Sequence, residues 1–213
     1  IGASAISAMG ASHLYMLYSK KLPTEIEKVL IDREDLGGAA LAKFLMAKKL
    51  MIRPEVIQSP QPLNPEKFDF LSGNDYDAFI VTGPRCFFIR NDAFSFSLDL
   101  TATWYELTNL PYVLHAWAVR RNTVLGAAEK EIGDAARRNE SNRDLAEKTA
   151  EKFGMPETAV RAVYQKALFT KFHPTVIASI RSFAKELTMA RVMPVQPVNV
   201  YTPPQATRKT AAY

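Results

Sequence analysis

The segment NLPYVLHAWAVRR, residues 109–121, constrains the fold of this chain more than any other. Tyr112, Leu114, Ala116 and Ala118 fall on one face of a strand, and Val113, His115, Trp117 and Val119 on the other. Both faces are largely apolar, which predicts a strand covered on two sides, as in an α/β sheet. Burial of Trp117 would then contribute a few kcal/mol, at roughly 25 cal/mol per Å² of apolar area. His115 shares its face with Val113 and is read as a core histidine, and Trp104 and Trp117 as core tryptophans.

The residues before this segment alternate between two periodicities. HLYMLYS (13–19), KVLID (28–32), PEVIQS (54–59) and YDAFIVTG (76–83) read as strands. FSFSLDL alternates apolar Phe94, Phe96, Leu98 and Leu100 with polar residues, the pattern of a half-buried strand. AALAKFLMAKKL places Leu41, Phe44 and Leu45 at helical spacing. TATWYEL reads as a short helix with Thr101 or Thr103 as N-cap, and QPLNPEK as a turn-rich linker. Strands alternating with helices predict a mostly parallel, helix-covered sheet.

After residue 121 the pattern turns helical. NTVLGAAEKEIGDAARRN puts Val124, Ala128, Ile132 and Ala135 on one face. Ser141 and Asp144 have capping-box spacing ahead of a helix that Gly154 closes. Pro156 suits the first turn of a further helix lined by Val160, Val163, Tyr164 and Ala167. Pro174 opens a last one, with His173 at its start and Ile177, Ile180, Ala184 and Leu187 inward. The proline-rich residues 191–213 read as a flexible tail.

With 213 residues and 47% hydrophobic content, the chain can bury one large core or two small ones. Its net charge of +5 is not organised as a basic stripe with stacking aromatics, so no nucleic-acid partner is expected. No apolar run is long enough to span a bilayer, so no membrane partner is expected either. The start IGASAISAMGASHLYMLYSK lacks a basic n-region and an initiator methionine; it reads as a processed or partial chain and not as a signal peptide. The lone cysteine, Cys86, excludes an internal disulfide and suits a reducing compartment. It reads as a buried, inert thiol.

Gly-rich nucleotide loops, GxSxG, HExxH and metal-ligand spacings are absent, so neither a metal nor an organic cofactor is expected. DLGGAAL lies between a strand and a helix, where free N–H groups would receive a carboxylate or the segment would serve as a plain loop. Thr82 and Gly83 end a strand whose carboxyl edge would face a cleft. Ser7 and Ser12 are hydrogen-bonding candidates or solvated loop serines. Arg85 and Arg90 are anion-pairing candidates or solvated arginines. His13 is an acid–base candidate.

YDAFIVTG, followed by LDLTATWYELTNLPYVLHAWAVRRN, resembles the menaquinone-biosynthesis family of the futalosine route, its chorismate dehydratase class in particular. Asp77, Ala78 and Gly83 match the family's first element. Asp99, Trp104, Thr108, Leu110, Pro111, Trp117 and Arg120 match the second. The resemblance spans roughly Ile1 to Leu187. It implies a type 2 periplasmic-binding-protein-like, two-lobed α/β fold with a helical C-terminal half. Residues 1–19 and 113–190 would form a first lobe, incomplete at the N-terminus, with a second copy of the chain as a candidate cover. Residues 20–112 would form the second lobe, and 191–213 the tail.

The implied activity is dehydration of chorismate to 3-[(1-carboxyvinyl)oxy]benzoate in the cytoplasm. Ser7, Ser12, Gly38, Ala39, Thr82 and Gly83 would hold the small carboxylate ligand; no catalytic base is identified. The family usually places Ser or Thr where Gly37, Gly38 and Ala39 stand. Its Gly-Asp-x-Ala-Leu element is Gly83-Pro84-Arg85-Cys86-Phe87 here, and its Ser-x-Gly-Pro-Val-x-Ser element is blurred into SAMGASHL. These departures define a second reading, a non-catalytic anion binder or scaffold. A third is an enzyme like 1,4-dihydroxy-6-naphthoate synthase.

Overall fold

The computed structural model describes residues 4–60, 63, 75–89, 91–120, 123–141, 144–164, 168–171 and 173–190. Their strands are β1 (Ser4–Ala8), β2 (Tyr15–Ser19), β3 (Lys28–Ile31), β4 (Glu55–Gln58), β5 (Ala78–Thr82), β6 (Phe96–Asp99), β7 (Tyr112–Ala116) and β8 (Leu168–Lys171). The helices are α1 (Leu36–Leu45), α2 (Leu100–Thr108), α3 (Ala127–Ser141), α4 (Leu145–Phe153), α5 (Glu157–Ala162) and α6 (Pro174–Met189).

Among the described residues the strands form two sheets, one ordered β4-β3-β5-β2-β6 and one ordered β7-β1-β8. The sheet expected to be mostly parallel is mixed. β3 runs parallel to β4 and β5, whereas β2 is antiparallel to β5 and β6, and every pair of the smaller sheet is antiparallel. β3, β4, β5 and β6 therefore share one direction, and β2, between β5 and β6, is the single reversed strand of this sheet among the described residues.

Period-two alternation builds the larger sheet's core. Leu17, Val29, Ile31 and Ile80 enter one cluster with Leu41, Leu45 and Trp104 of the covering helices. Their sequence neighbours Met16, Tyr18, Leu30, Phe79 and Val81 enter a second cluster on the other face. Trp104 is fully buried and packs near Phe44, Tyr112 and Phe183, at ring separations of 5.7, 6.1 and 5.5 Å. One indole thereby joins α2 to α1, β7 and α6.

Several expectations are corrected by burial and capping. β7 pairs with β1 alone among the described residues, and its far end is uncovered: His115 is exposed and Trp117 is 57% exposed, so neither is a core residue. Asp99, and neither Thr101 nor Thr103, caps α2, accepting from the Thr101 and Ala102 N–H groups at 2.9 and 3.0 Å. Its carboxylate is the stronger acceptor for two orphan helix donors.

Val124 precedes α3 and is exposed. Ser141 ends α3, while Asp144 occupies the N-cap of α4, its side chain making no capping hydrogen bond to the helix. Gly154 closes α4 in the left-handed region (φ 61°), as its position predicts. Pro156 stands at the N-cap of α5, one position before the first turn. The α5 segment does not run on as one helix: β8 follows and pairs with β1. α6 does start at Pro174 with His173 as N-cap, but Val176, Ser179 and Leu187 are buried while Ile177, Ile180 and Ala184 are half-buried. Ala167, Arg90, most of the expected linker and the expected tail lie outside the described residues.

Candidate functional site

The two sheets meet around a cavity of about 480 Å³, within the range of small-molecule sites. Parallel β3 and β5 end on the same side, so the loops after both open onto it. They contribute Asp32, Asp35, Thr82, Gly83 and Arg85, and Tyr15 adds its ring from the start of β2. Ile6 of β1, with Leu114 and His115 of β7, forms the facing wall. Thr149, Val160 and Tyr164 close a third side from α4, α5 and the residues after it.

Gly38 allows the loop after β3 to press against the end of β5. A Cβ at this position would lie 2.8 Å from Thr82 Cγ2 and 2.4 Å from Asp35 Oδ2. Asp35 caps α1: its Oδ1 accepts from the Gly38 N–H at 2.8 Å. Its Oδ2 is buried and has no hydrogen-bond partner among the described residues. The helix N-terminus expected to receive a ligand carboxylate therefore already holds one of the protein's own.

Asp32 organises the opposite edge. Its Oδ1 accepts from the Glu34 N–H (3.0 Å), and its Oδ2 from the Leu63 N–H (3.0 Å) and Arg85 Nη1 (2.9 Å). Arg85 Nη1 also donates to the Leu63 carbonyl at 3.0 Å. Asp32 is buried but the Arg85 side chain is 45% exposed, so the guanidinium keeps a solvent-facing edge beside the cavity. With Asp32 matched by Arg85, Glu34 and Asp35 make the remaining field of this wall negative. Burial, helped by the Asp35 charge, pushes the Tyr15 phenol up, so it is a neutral O–H donor at neutral pH.

A second cavity of about 500 Å³ shares Phe87 and Val163 with the first and is mostly apolar, with Met9, Met16 and Tyr18 among its walls. His13 lies on it in the left-handed region (φ 56°), its N–H donating to Asp99 Oδ2 at 2.7 Å. The ring Nδ1 is 3.7 Å from the same oxygen, beyond a hydrogen bond. Cys86 also lines this cavity; burial pushes its thiol up, which keeps it protonated and unreactive.

The six residues expected to hold a ligand are thus dispersed. Thr82 and Gly83 stand on the cavity wall, with Gly38 directly behind Thr82. Ala39 is packed into the core under α1. Ser7 is buried in the small sheet opposite Val113 and Phe169, its Oγ unpartnered among the described residues. Ser12 is engaged in the loop: its N–H donates to Thr101 Oγ1 at 3.0 Å, and its Oγ accepts from the Leu14 N–H at 3.2 Å. The sequence reading missed Tyr15, Asp32 and Asp35. Asp35 had a signal, an aspartate directly before a helix start, and Asp32 and Tyr15 had none short of knowing the register.

Among the described residues, no helix is long and apolar enough to cross a membrane, and no cluster of His, Cys, Asp or Glu could hold a metal. A two-sheet α/β chain with a cavity between its sheets is the class these features define. The chain belongs to the menaquinone biosynthesis family, whose model matches residues 2–188. In fold it is similar to protein AF1704 from Archaeoglobus fulgidus, with a TM-score of 0.64 at 15% identity, over 90% of this chain and 73% of that one. No curated protein matches the sequence.

Proposed function

We propose that the cavity between the sheets binds a small carboxylated ring metabolite, and that the chain acts on it as a chorismate dehydratase-like lyase in the cytoplasm. In this reading the two sheets are the cores of two lobes of a type 2 periplasmic-binding-like fold, joined through residues 9–14 and 109–111, which shifts the expected boundaries: Tyr15–Ser19 goes with the second lobe and Tyr112 with the first. The observation that carries it is the composition of one cavity wall: Thr82, Gly83 and the exposed edge of Arg85 come together opposite Leu114 and His115. Arg85 is placed to receive a carboxylate through its free guanidinium edge. Thr82 and the neutral Tyr15 phenol supply hydroxyl donors for the ring substituents.

A second reading, a non-catalytic relative that has lost the family's ligand contact at α1, is favoured by one feature. The Asp35 carboxylate sits on the α1 N-terminus, where the family resemblance implies a ligand carboxylate.

Incubation with chorismate, following the loss of its diene absorbance, tests the enzyme. Turnover that Arg85→Gln reduces at least about tenfold supports it, the size expected for loss of one charge-assisted contact. Saturable chorismate binding without turnover supports the non-catalytic relative. Neither turnover nor binding removes chorismate from both.

A further inference from the structure

α1 lines a second cavity at its other end. At its C-terminus, about 15 Å along the axis from the inter-sheet cavity, the hydrogen bonding widens into a π-turn over Met46–Leu50. Met51 ends the turn in the left-handed region (φ 58°) and is 81% exposed. Single π-turns inside helices recur at functional positions because the i→i+5 register rearranges which side chains share a face. Here it brings Lys43 and Lys48, five residues apart, to the rim of one cavity of about 490 Å³. Arg53 reaches the same rim from the approach to β4.

The floor is apolar. Phe44 and Met46 are buried, Val56 is half-buried, and Met189 at the end of α6 forms a rim with 65% of its surface exposed. Lys43, Lys48 and Arg53 take part in no ion pair among the described residues, and Glu186 is the single acidic residue on the lining. The adjacent Lys49, by contrast, is matched by Glu106 at 3.2 Å. Cations near a helix C-terminus offset its dipole, which accounts for Lys43 and Lys48. Arg53 lies beyond the turn, where that field has fallen away.

We propose that this pocket is a binding site for an organic anion with an apolar ring or chain. The apolar body would lie on Phe44, Met46 and Val56, and the anionic group between Lys43, Lys48 and Arg53. The site is separate from the inter-sheet cavity and does not rest on the reaction assigned there.

The test uses 8-anilinonaphthalene-1-sulfonate on the folded chain, with neutral N-phenyl-1-naphthylamine as the uncharged analogue. Saturable sulfonate binding that weakens with added salt is expected, together with binding of the neutral amine at least about tenfold weaker. The double variant Lys48→Glu/Arg53→Glu, at exposed positions, should weaken sulfonate binding by about tenfold or more. Lys49→Glu and Arg85→Gln should each change it less than about twofold. Equal binding of the neutral amine, an effect of Arg85→Gln in place of the Lys48/Arg53 pair, or no saturable binding would overturn the proposal.

Discussion

In the five-stranded sheet, successive residues of β2, β3 and β5 enter two different core clusters, so both faces are filled. In the three-stranded sheet, β7 has one strand beside it among the described residues, and its exit leaves His115 and Trp117 in solvent. The chain has two tryptophans, and they mark the contrast. Trp104, on a helix, is buried by three aromatic rings from three elements. Trp117, just past a strand whose sequence is equally apolar, is not. Local hydrophobicity sets what a segment could bury; the number of elements around it sets what it does bury.

The largest expected effect tests the filled side. Trp104→Ala should cost about 3–5 kcal/mol of unfolding free energy, the range for deleting a large core aromatic. Urea denaturation measures it, and a loss below 1 kcal/mol would mean that the cluster around Phe44, Tyr112 and Phe183 is not the joint between α1, α2, β7 and α6. Next comes Gly38→Ala, where the new methyl meets Thr82 and Asp35 inside contact distance; about 1–3 kcal/mol is expected from overpacking. The adjacent Gly37→Ala meets nothing closer than 3.7 Å. It should be neutral or stabilising by up to about 1 kcal/mol, from helix propensity alone. The pair separates a steric requirement from a merely glycine-rich loop.

The larger sheet was legible where periodicity was decisive. β2, β3, β4, β5 and β6 all fall inside the segments whose apolar pattern predicts strands; α1 and α2 overlap the segments that predict helices, but α1 starts three residues earlier, at Leu36, and α2 runs one residue beyond its segment at each end. Direction was not legible, because period-two alternation looks the same in parallel and antiparallel pairs. β8 was missed because LFTK follows a helical stretch and carries no turn signal. Trp117 was misread because burial of a two-faced strand depends on neighbours that its own sequence does not name. At the cavity, Thr82 and Gly83 could be read from a strand end. Asp32 could not, because its bond to Arg85 closes a separation of 53 residues.

A smaller effect tests how the larger sheet is fastened at its other end. Asp77 Oδ2 accepts from the Glu27 and Lys28 N–H groups, both at 2.9 Å, and Oδ1 pairs with Lys21 at 2.7 Å. Burial opposes its ionisation, but the Lys21 ammonium and the two N–H donors outweigh it and hold the carboxyl below its usual range. A carboxyl lowered by folding contributes stability present above its unfolded value of about 3.9 and lost as pH falls through its folded value. Asp77→Asn should therefore cost about 1–2 kcal/mol at neutral pH, the scale of hydrogen bonds to a charged group. That cost should shrink as pH is lowered below about 4. A pH-independent cost would assign the effect to geometry and not to charge.

The smallest effect falls on the open side. Trp117→Ser removes a large apolar side chain that the chain itself leaves mostly in water. Its stability change should stay within about 0.5 kcal/mol, as for surface positions without a special role. Denaturation at two protein concentrations a hundredfold apart sharpens this. A partner that covers the folded face but not the unfolded chain stabilises by mass action, so its contribution grows with concentration. A cost that rises with concentration would show Trp117 buried between molecules. A small cost at both concentrations would leave the contrast between the two tryptophans a property of the single chain.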